Sequence, residues 1–152
     1  MKKVLAGILF TGVLSSCNMG DSELPAYENN ENNNTMVVGV WKIQTQYQIS
    51  GADKTTVIKE TLPDDCKKQG TYEFRNDGKY YMIDYNTING NCVKAETTSS
   101  YQYDPVQMKL TINNSSSEVL DLSANKLTIL AADTQDFNGD GINDYIKTVF
   151  YK

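Results

Sequence analysis

From residue 36 onward the chain alternates apolar and polar side chains, and this constrains the fold more than any other feature. Trp41, Ile43, Thr45, Tyr47 and Ile49 fall on one phase, and Lys42, Gln44, Gln46 and Gln48 on the other. A period of two is the signature of a strand with one buried face. The pattern recurs. Thr55–Leu62 is a weaker run. Tyr72 and Phe74 alternate with Glu73 and Arg75. Tyr81, Ile83 and Tyr85 share a phase in Lys79–Tyr85. Val93, Ala95, Thr97, Ser99, Tyr101 and Tyr103 share one in Cys92–Tyr103, as do Met108, Leu110 and Ile112. Val119–Leu122, Leu127–Leu130 and Tyr145–Tyr151 complete the series. Asn76-Asp77-Gly78 and Asn89-Gly90 are tight-turn signals between runs, because Gly and Asn tolerate positive φ. No segment after residue 36 shows a helical period.

About eight or nine short strands joined by hairpin turns, apolar on one face, predict an all-β antiparallel meander that curls over its own apolar side. Closure into an up-and-down barrel removes the exposed edges. Barrels of about eight strands are either filled by side chains or hold one small ligand. A two-sheet β-sandwich is the alternative.

The N-terminal part is different. Lys2 and Lys3 precede a mostly apolar stretch, Val4–Leu14, too short to span a bilayer as a mature helix. Leu14-Ser15-Ser16-Cys17 follows and resembles the bacterial lipobox, in which two small residues precede the acylated cysteine. The expectation is a signal peptide at 1–16, a lipidated Cys17 with an Asn-rich, acidic tether at 17–35, and one domain at 36–152. Such a tether cannot bury enough apolar surface to order itself. As a flexible chain it reaches on the order of 25 Å. Asp21 and Glu23 are a faint version of a surface-export signal, against the plainer reading of a spacer. Several acyl chains at ~0.8 kcal/mol per buried methylene give stable membrane anchoring. The expected location is the cell envelope, as an outer-membrane-anchored lipoprotein on the periplasmic or surface face.

Removing residues 1–16 takes two lysines and no acid from a net charge of −5, which leaves about −7. With Arg75 its only arginine, such a chain is a poor ligand for nucleic acid. Cys66 and Cys92 remain in the domain. Export places them in an oxidising compartment, where a disulfide is the default. A loop of about 25 residues closed this way contributes roughly 3 kcal/mol by the chain-entropy estimate. With no histidine in the chain, a Cys/His zinc site cannot be completed.

Several short motifs resemble the bacterial lipocalin-like domain of lipoproteins. They are Gly39-Val40-Trp41, Cys66-Lys67-Lys68, Thr71-Tyr72-Glu73-Phe74, Asp77-Gly78-Lys79-Tyr80, Cys92, Asn125-Lys126-Leu127 and the terminal Phe150-Tyr151-Lys152. The resemblance covers residues 36–152. It implies an up-and-down barrel with Trp41 near the closed end. Typical lipocalins stack an arginine on that tryptophan. Here Lys147 and Lys152 are the nearest cations.

Two features could carry a site. Trp41, Tyr47, Tyr72, Phe74, Tyr81, Tyr85, Tyr101 and Tyr103 sit on expected inward phases. They are read either as the lining for a small apolar or amphipathic ligand or as an ordinary core. Tyr80, Met82 and Tyr145 are expected on the opposite face, where a contiguous patch would suit a protein partner. The segment Asp136–Asp144 follows the spacing of a calcium loop, with Asp136, Asn138, Asp140, the Ile142 carbonyl and Asp144 as candidate calcium ligands. Position 12, a glutamate in the full loop, is Lys147 here, and the alternative is a plain acidic turn. The expectation is that no cofactor is required and that any calcium would staple the last hairpin. Catalysis is not expected: there is no His-dependent nucleophile and no phosphate loop, and the cysteines past the anchor are expected to be oxidised. The functional expectation is a ligand-binding envelope lipoprotein. The alternative is a filled barrel that contacts another envelope protein or a glycan. The oligomeric state is left open.

Overall fold

The computed structural model describes residues 36–152. The signal, Cys17 and tether assignments lie outside the described residues. Nine strands follow in chain order: β1 (Gly39–Ile49), β2 (Val57–Thr61), β3 (Thr71–Phe74), β4 (Lys79–Ile88), β5 (Asn91–Asp104), β6 (Lys109–Ile112), β7 (Ser115–Leu122), β8 (Lys126–Ala132) and β9 (Tyr145–Tyr151). A single 3₁₀ turn, Lys67–Gln69, lies between β2 and β3. Every pairing is antiparallel, and β9 returns to pair with β1 from Lys42↔Tyr151 to Ile49↔Tyr145. That pairing closes a ring of eight strands, with β2 as an extra strand on β1. The barrel reading holds, and the ring closure excludes the sandwich.

The register shows what β2 is. Trp41 faces Tyr72 on β3; five residues on, Gln46 faces Thr61, eleven residues back. Six residues are surplus to a continuous ladder. β2 and β3 are therefore two halves of one wall strand, split by the insertion 62–70. The distal part of β4, beyond its last pair with β3 at Ile83, is left facing this insertion and not a strand.

The core gathers around Trp41 inside the barrel. Trp41, Ile43, Tyr72, Phe74, Tyr80, Tyr101, Tyr103, Leu110, Val119, Leu127 and Phe150 form one cluster with Val37. Trp41 and Leu127 are wholly buried. The Trp41 indole N–H donates to the Val37 carbonyl at 2.8 Å, so the ring's polar tip is satisfied inside. Lys152 supplies the cation: its ammonium lies 4.3 Å from the Trp41 ring centroid and donates to the carbonyls of Val38 (2.8 Å) and Met36 (3.2 Å). Burial holds its pKa below the ordinary lysine value. Gly39 makes this approach feasible. Its φ is +136°, and an added Cβ would sit 2.8 Å from Lys152 Cε. Lys147 instead lies over the Tyr47 ring.

Two bulges within the eight-strand ring shift the alternation. β1 skips a position between Ile43 and Thr45 against β9, and β7 skips one between Val119 and Asp121 against β8. A bulge sends the residues beyond it to the other face. Beyond the first bulge, Gln46 pairs with Thr148 and Gln48 with Ile146, while Thr45, Tyr47 and Ile49 pair with Val149, Lys147 and Tyr145. Ile49 and Leu130 are buried, yet neither belongs to the core cluster. The β1–β2 loop folds over this region. Lys54 reaches Glu118 on β7 at 3.0 Å and lies over the Tyr145 ring.

Candidate ligand-binding site

The floor of the barrel is an aromatic stack. Tyr72 meets Phe150 edge-on at 5.3 Å between centroids, Phe74 meets Tyr101 edge-on at 4.9 Å, and Tyr80 lies 4.8 Å from Phe74. The hydroxyls of Tyr72, Tyr101 and Tyr103 find partners within the protein. The Tyr101 hydroxyl donates to the Arg75 carbonyl at 2.9 Å, and the Tyr103 hydroxyl reaches Met108 Sδ at 3.3 Å.

Of the eight aromatics expected to line a cavity, Trp41, Tyr72, Phe74, Tyr101 and Tyr103 enter this core. Tyr47, Tyr81 and Tyr85 do not. The β1 bulge turns Tyr47 toward Lys147. On β4 the phase is the reverse of the expected one. Tyr80 is buried and Met82 packs on the core, whereas Tyr81 lies under the Arg75 guanidinium at 3.9 Å. Tyr145 pairs with Ile49 and carries Lys54. Tyr80 and Tyr81 are adjacent aromatics, so alternation alone does not say which points inward. The deciding contact is Tyr80 against Phe74, its ladder partner on β3.

Above the floor the lining becomes polar. Tyr72 donates its hydroxyl to Asp84 Oδ1 at 3.0 Å, and Lys67 of the 3₁₀ turn donates to Asp84 Oδ2 at 2.6 Å and to Asn86 Oδ1 at 3.1 Å. Burial first, and then the hydrogen bond to Asp84, push the Tyr72 phenol well above its ordinary pKa. Burial does the same to Tyr80. Both phenols therefore stay neutral, and Tyr72 acts as a hydrogen-bond donor to Asp84. Lys67 and Asp84 keep only 25% and 14% of their side-chain exposure. The pair is shielded enough to act as a fixed dipole beside the split wall strand.

The split wall strand opens a cleft beside this cluster. A space of about 290 Å³ is lined by Gln46, Thr61, Leu62, Pro63, Asp64, Lys67, Tyr85, Asn86 and Thr87. A smaller recess of about 120 Å³ shares Gln46 and Thr61 and adds Tyr47, Gln48 and Ile146. Gln46 donates to the Thr148 hydroxyl at 3.2 Å, which orients its amide. The disulfide Cys66–Cys92, with Cα atoms 5.2 Å apart, ties the insertion to β5, and Thr87 donates to Asp64 at 2.7 Å. One wall of the cleft is thus held covalently. Apart from Tyr85, strand periodicity marks none of the residues lining the 290 Å³ cleft as ligand-lining, because the cleft exists only through the insertion. A larger groove of about 600 Å³ lies elsewhere, between the β3–β4 and β5–β6 turns. It is lined by residues such as Asn76, Gln102, Asp104, Lys109 and Thr111. Gln102, Asp104, Lys109 and Thr111 are on the phase opposite to the core residue Leu110 and give the groove an outer side, while Tyr101 and Tyr103 also contribute to its lining.

The candidate calcium ligands serve the backbone. Asp144 has no exposed surface, and its carboxylate accepts N–H bonds from Gly51 at 2.7 Å and Phe137 at 2.6 Å. Asp136 accepts from Gly139 (2.6 Å), Asp140 (3.2 Å) and Gly141 (2.7 Å), which draws its pKa below the ordinary carboxylate value. Asp140 accepts from the Ile142 N–H and the Asn138 side chain. Ile142 itself is half exposed. Among the described residues no three acidic, cysteine or histidine side chains come together as a metal cage. Gly51 lies so close to this loop that a Cβ would fall 2.1 Å from the Asn143 carbonyl.

Residues 37–129 match the family model of a lipocalin-like domain. The chain belongs to that family. No curated protein matches it. Among solved structures this lipocalin-like chain is similar to bovine odorant-binding protein in complex with a selenium-containing odorant: 13% identity, 78% of this chain and 74% of that chain covered, TM-score 0.45. It is also similar to the bovine lipocalin allergen Bos d 2 (18% identity, 77% and 73% covered, TM-score 0.44). A dog lipocalin allergen is similar too (18%, 76% and 73%, TM-score 0.42).

Proposed function

We propose that this chain is a lipid-anchored lipocalin-like lipoprotein of the cell envelope, and that it holds a small amphipathic molecule in the cleft between β2 and the distal half of β4. The single observation that carries this is the split wall strand, which leaves a cleft of about 290 Å³ beside the Lys67–Asp84–Tyr72 cluster. The size is at the lower limit of small-molecule sites. The lining joins apolar surface from Leu62, Pro63 and Tyr85 to amide groups of Gln46 and Asn86 and the ammonium of Lys67. That mixture suits a molecule with one apolar part and one polar head. The role is binding, not catalysis. Acylation of Cys17 and the tether would moor the barrel at the membrane, most simply the outer membrane.

The test is titration of the full chain with the small apolar fluorophore N-phenyl-1-naphthylamine. Gln46→Trp fills the cleft and is expected to weaken binding at least tenfold, while Gln102→Trp, in the outer groove, leaves it unchanged. Equal binding by all three proteins, or none by the unaltered chain, would overturn the proposal. A second reading, contact with an envelope protein or glycan, is favoured by the filled aromatic floor together with the 600 Å³ outer groove. Under that reading Gln102→Trp is the disruptive change, read as loss of capture from solubilised membranes.

A further inference from the structure

β5 is the longest strand, and its two halves have different neighbours. Residues Tyr101–Asp104 pair with β6 on one side. Residues Asn91–Ser100 pair with β4 alone. The β4–β5 hairpin therefore projects as a two-stranded ribbon, turned by Asn89 and Gly90, both at positive φ. Every residue from Asn91 to Thr98 is exposed. Their backbone groups on the edge away from β4 have no strand partner among the described residues. Farther along, the edge is occupied: Asn113 donates its backbone N–H to the Ser100 carbonyl at 3.0 Å and its side chain to Ser99 at 3.2 Å. The ribbon's other edge is covered by the disulfide-tied insertion, through Lys67 to Asp84 and Thr87 to Asp64. One open edge of eight residues is left, and an open edge is a template for another strand.

That edge is complementary to itself. Lys94 and Glu96 flank Ala95 on one phase and form an ion pair within the chain, with side chains 47% and 61% exposed. We propose that this edge pairs antiparallel with the same edge of a second copy, about a two-fold axis through Ala95. Lys94 then faces the partner's Glu96 and Glu96 faces the partner's Lys94. Val93 faces the partner's Thr97, and Cys92, already in its disulfide, faces the partner's Thr98. A two-fold interface of this kind uses one patch twice and closes without further growth. Like charges directly opposite destabilise a ladder and opposite charges support it, so the charge order selects this register over a slip of one or two residues. Because both side chains are exposed, exchanging the in-chain pair for two cross-strand pairs requires only rotamer changes.

The experiment is sedimentation of the oxidised full chain in mild detergent, with cysteine scanning of the edge. The chain is expected to sediment as a dimer that dissociates on dilution through the micromolar range. Lys94→Glu places like charges opposite one another and is expected to weaken the dimer by about tenfold. Adding Glu96→Lys to it restores opposite charges and restores the dimer. Because both positions are exposed, circular dichroism and thermal melting should match the unaltered protein in all cases. In Ala95→Cys the two thiols meet at the axis, and oxidation should give a disulfide joining two peptides that contain position 95. In Thr97→Cys the thiols lie about 13 Å apart at ~3.3 Å per residue and should not join. A monomer at all concentrations, failure of the double charge change to rescue, or cross-linking of Thr97→Cys as readily as Ala95→Cys would each overturn the proposal.

Discussion

Replacing Asp144 with alanine is expected to lower stability by about 3 kcal/mol. The carboxylate is wholly buried and accepts two short N–H bonds, from Gly51 in the β1–β2 loop and Phe137 in the β8–β9 loop. A hydrogen bond to a charged group contributes about 1.5–3 kcal/mol, and an amide left without a partner costs about 1–3 kcal/mol. The two figures describe one loss from two sides and are not added. Two such bonds would be worth about 3–6 kcal/mol; Gly51 and Phe137 are only partly buried, so water can reach the freed amides and holds the cost at the low end, about 3 kcal/mol. The assay is urea unfolding followed by Trp41 fluorescence. With a slope of about 1.5 kcal/mol per molar, the midpoint should fall by about 2 M. Asp144→Asn keeps one acceptor oxygen and should fall between the two proteins. Calcium or a chelator should leave the unaltered midpoint where it is, since a ligand that binds only the folded state raises stability by mass action. An Asp144→Ala midpoint within about 0.5 kcal/mol of the unaltered protein, or a clear rise with calcium, would refute the assignment of this carboxylate to the backbone.

Other expectations follow from the same geometry. Tyr80→Ala should cost about 3–5 kcal/mol, the range for a large aromatic removed from a core, while Tyr81→Ala should cost less than about 1 kcal/mol; the reverse order in thermal melts would mean the β4 phase is wrong. Reducing Cys66–Cys92, whose partners lie 26 residues apart, should cost about 3 kcal/mol, measured as the shift in urea midpoint with and without reductant. Stability should also fall at alkaline pH. Tyr72 and Tyr80 have pKa values raised by burial, so their contribution is complete below the unfolded tyrosine value near 10 and is lost as pH climbs above it. Tyr80→Phe should flatten that decline; an unchanged decline would mean that other groups drive it.

Much of the barrel is legible from residue type alone, because a half-buried strand writes its phase into the chain. Trp41, Phe74, Tyr103 and Leu110 declare the inner face without ambiguity. The misread positions have physical causes. The bulges near Gln44 and Leu120 reverse the phase, and nothing in the local composition marks them. Tyr80-Tyr81 offers two aromatics where one must face out, and only the Phe74 contact across the ladder decides. The split between β2 and β3 appears in sequence as a Pro-containing loop, but its consequence depends on pairing with β1, a non-local fact. Asp144 reads as one more acid in a turn motif, although its burial comes from the distant Gly51. The cleft is a product of these long-range features, and so most of its lining was invisible to periodicity.

Native mass spectrometry of the full chain purified from its own host tests the central claim most directly. The account predicts a peak heavier than the covalent mass by one small molecule, lost on collisional activation and missing from Gln46→Trp. A chain that always carries only its covalent mass, or one whose added mass survives Gln46→Trp unchanged, would contradict it.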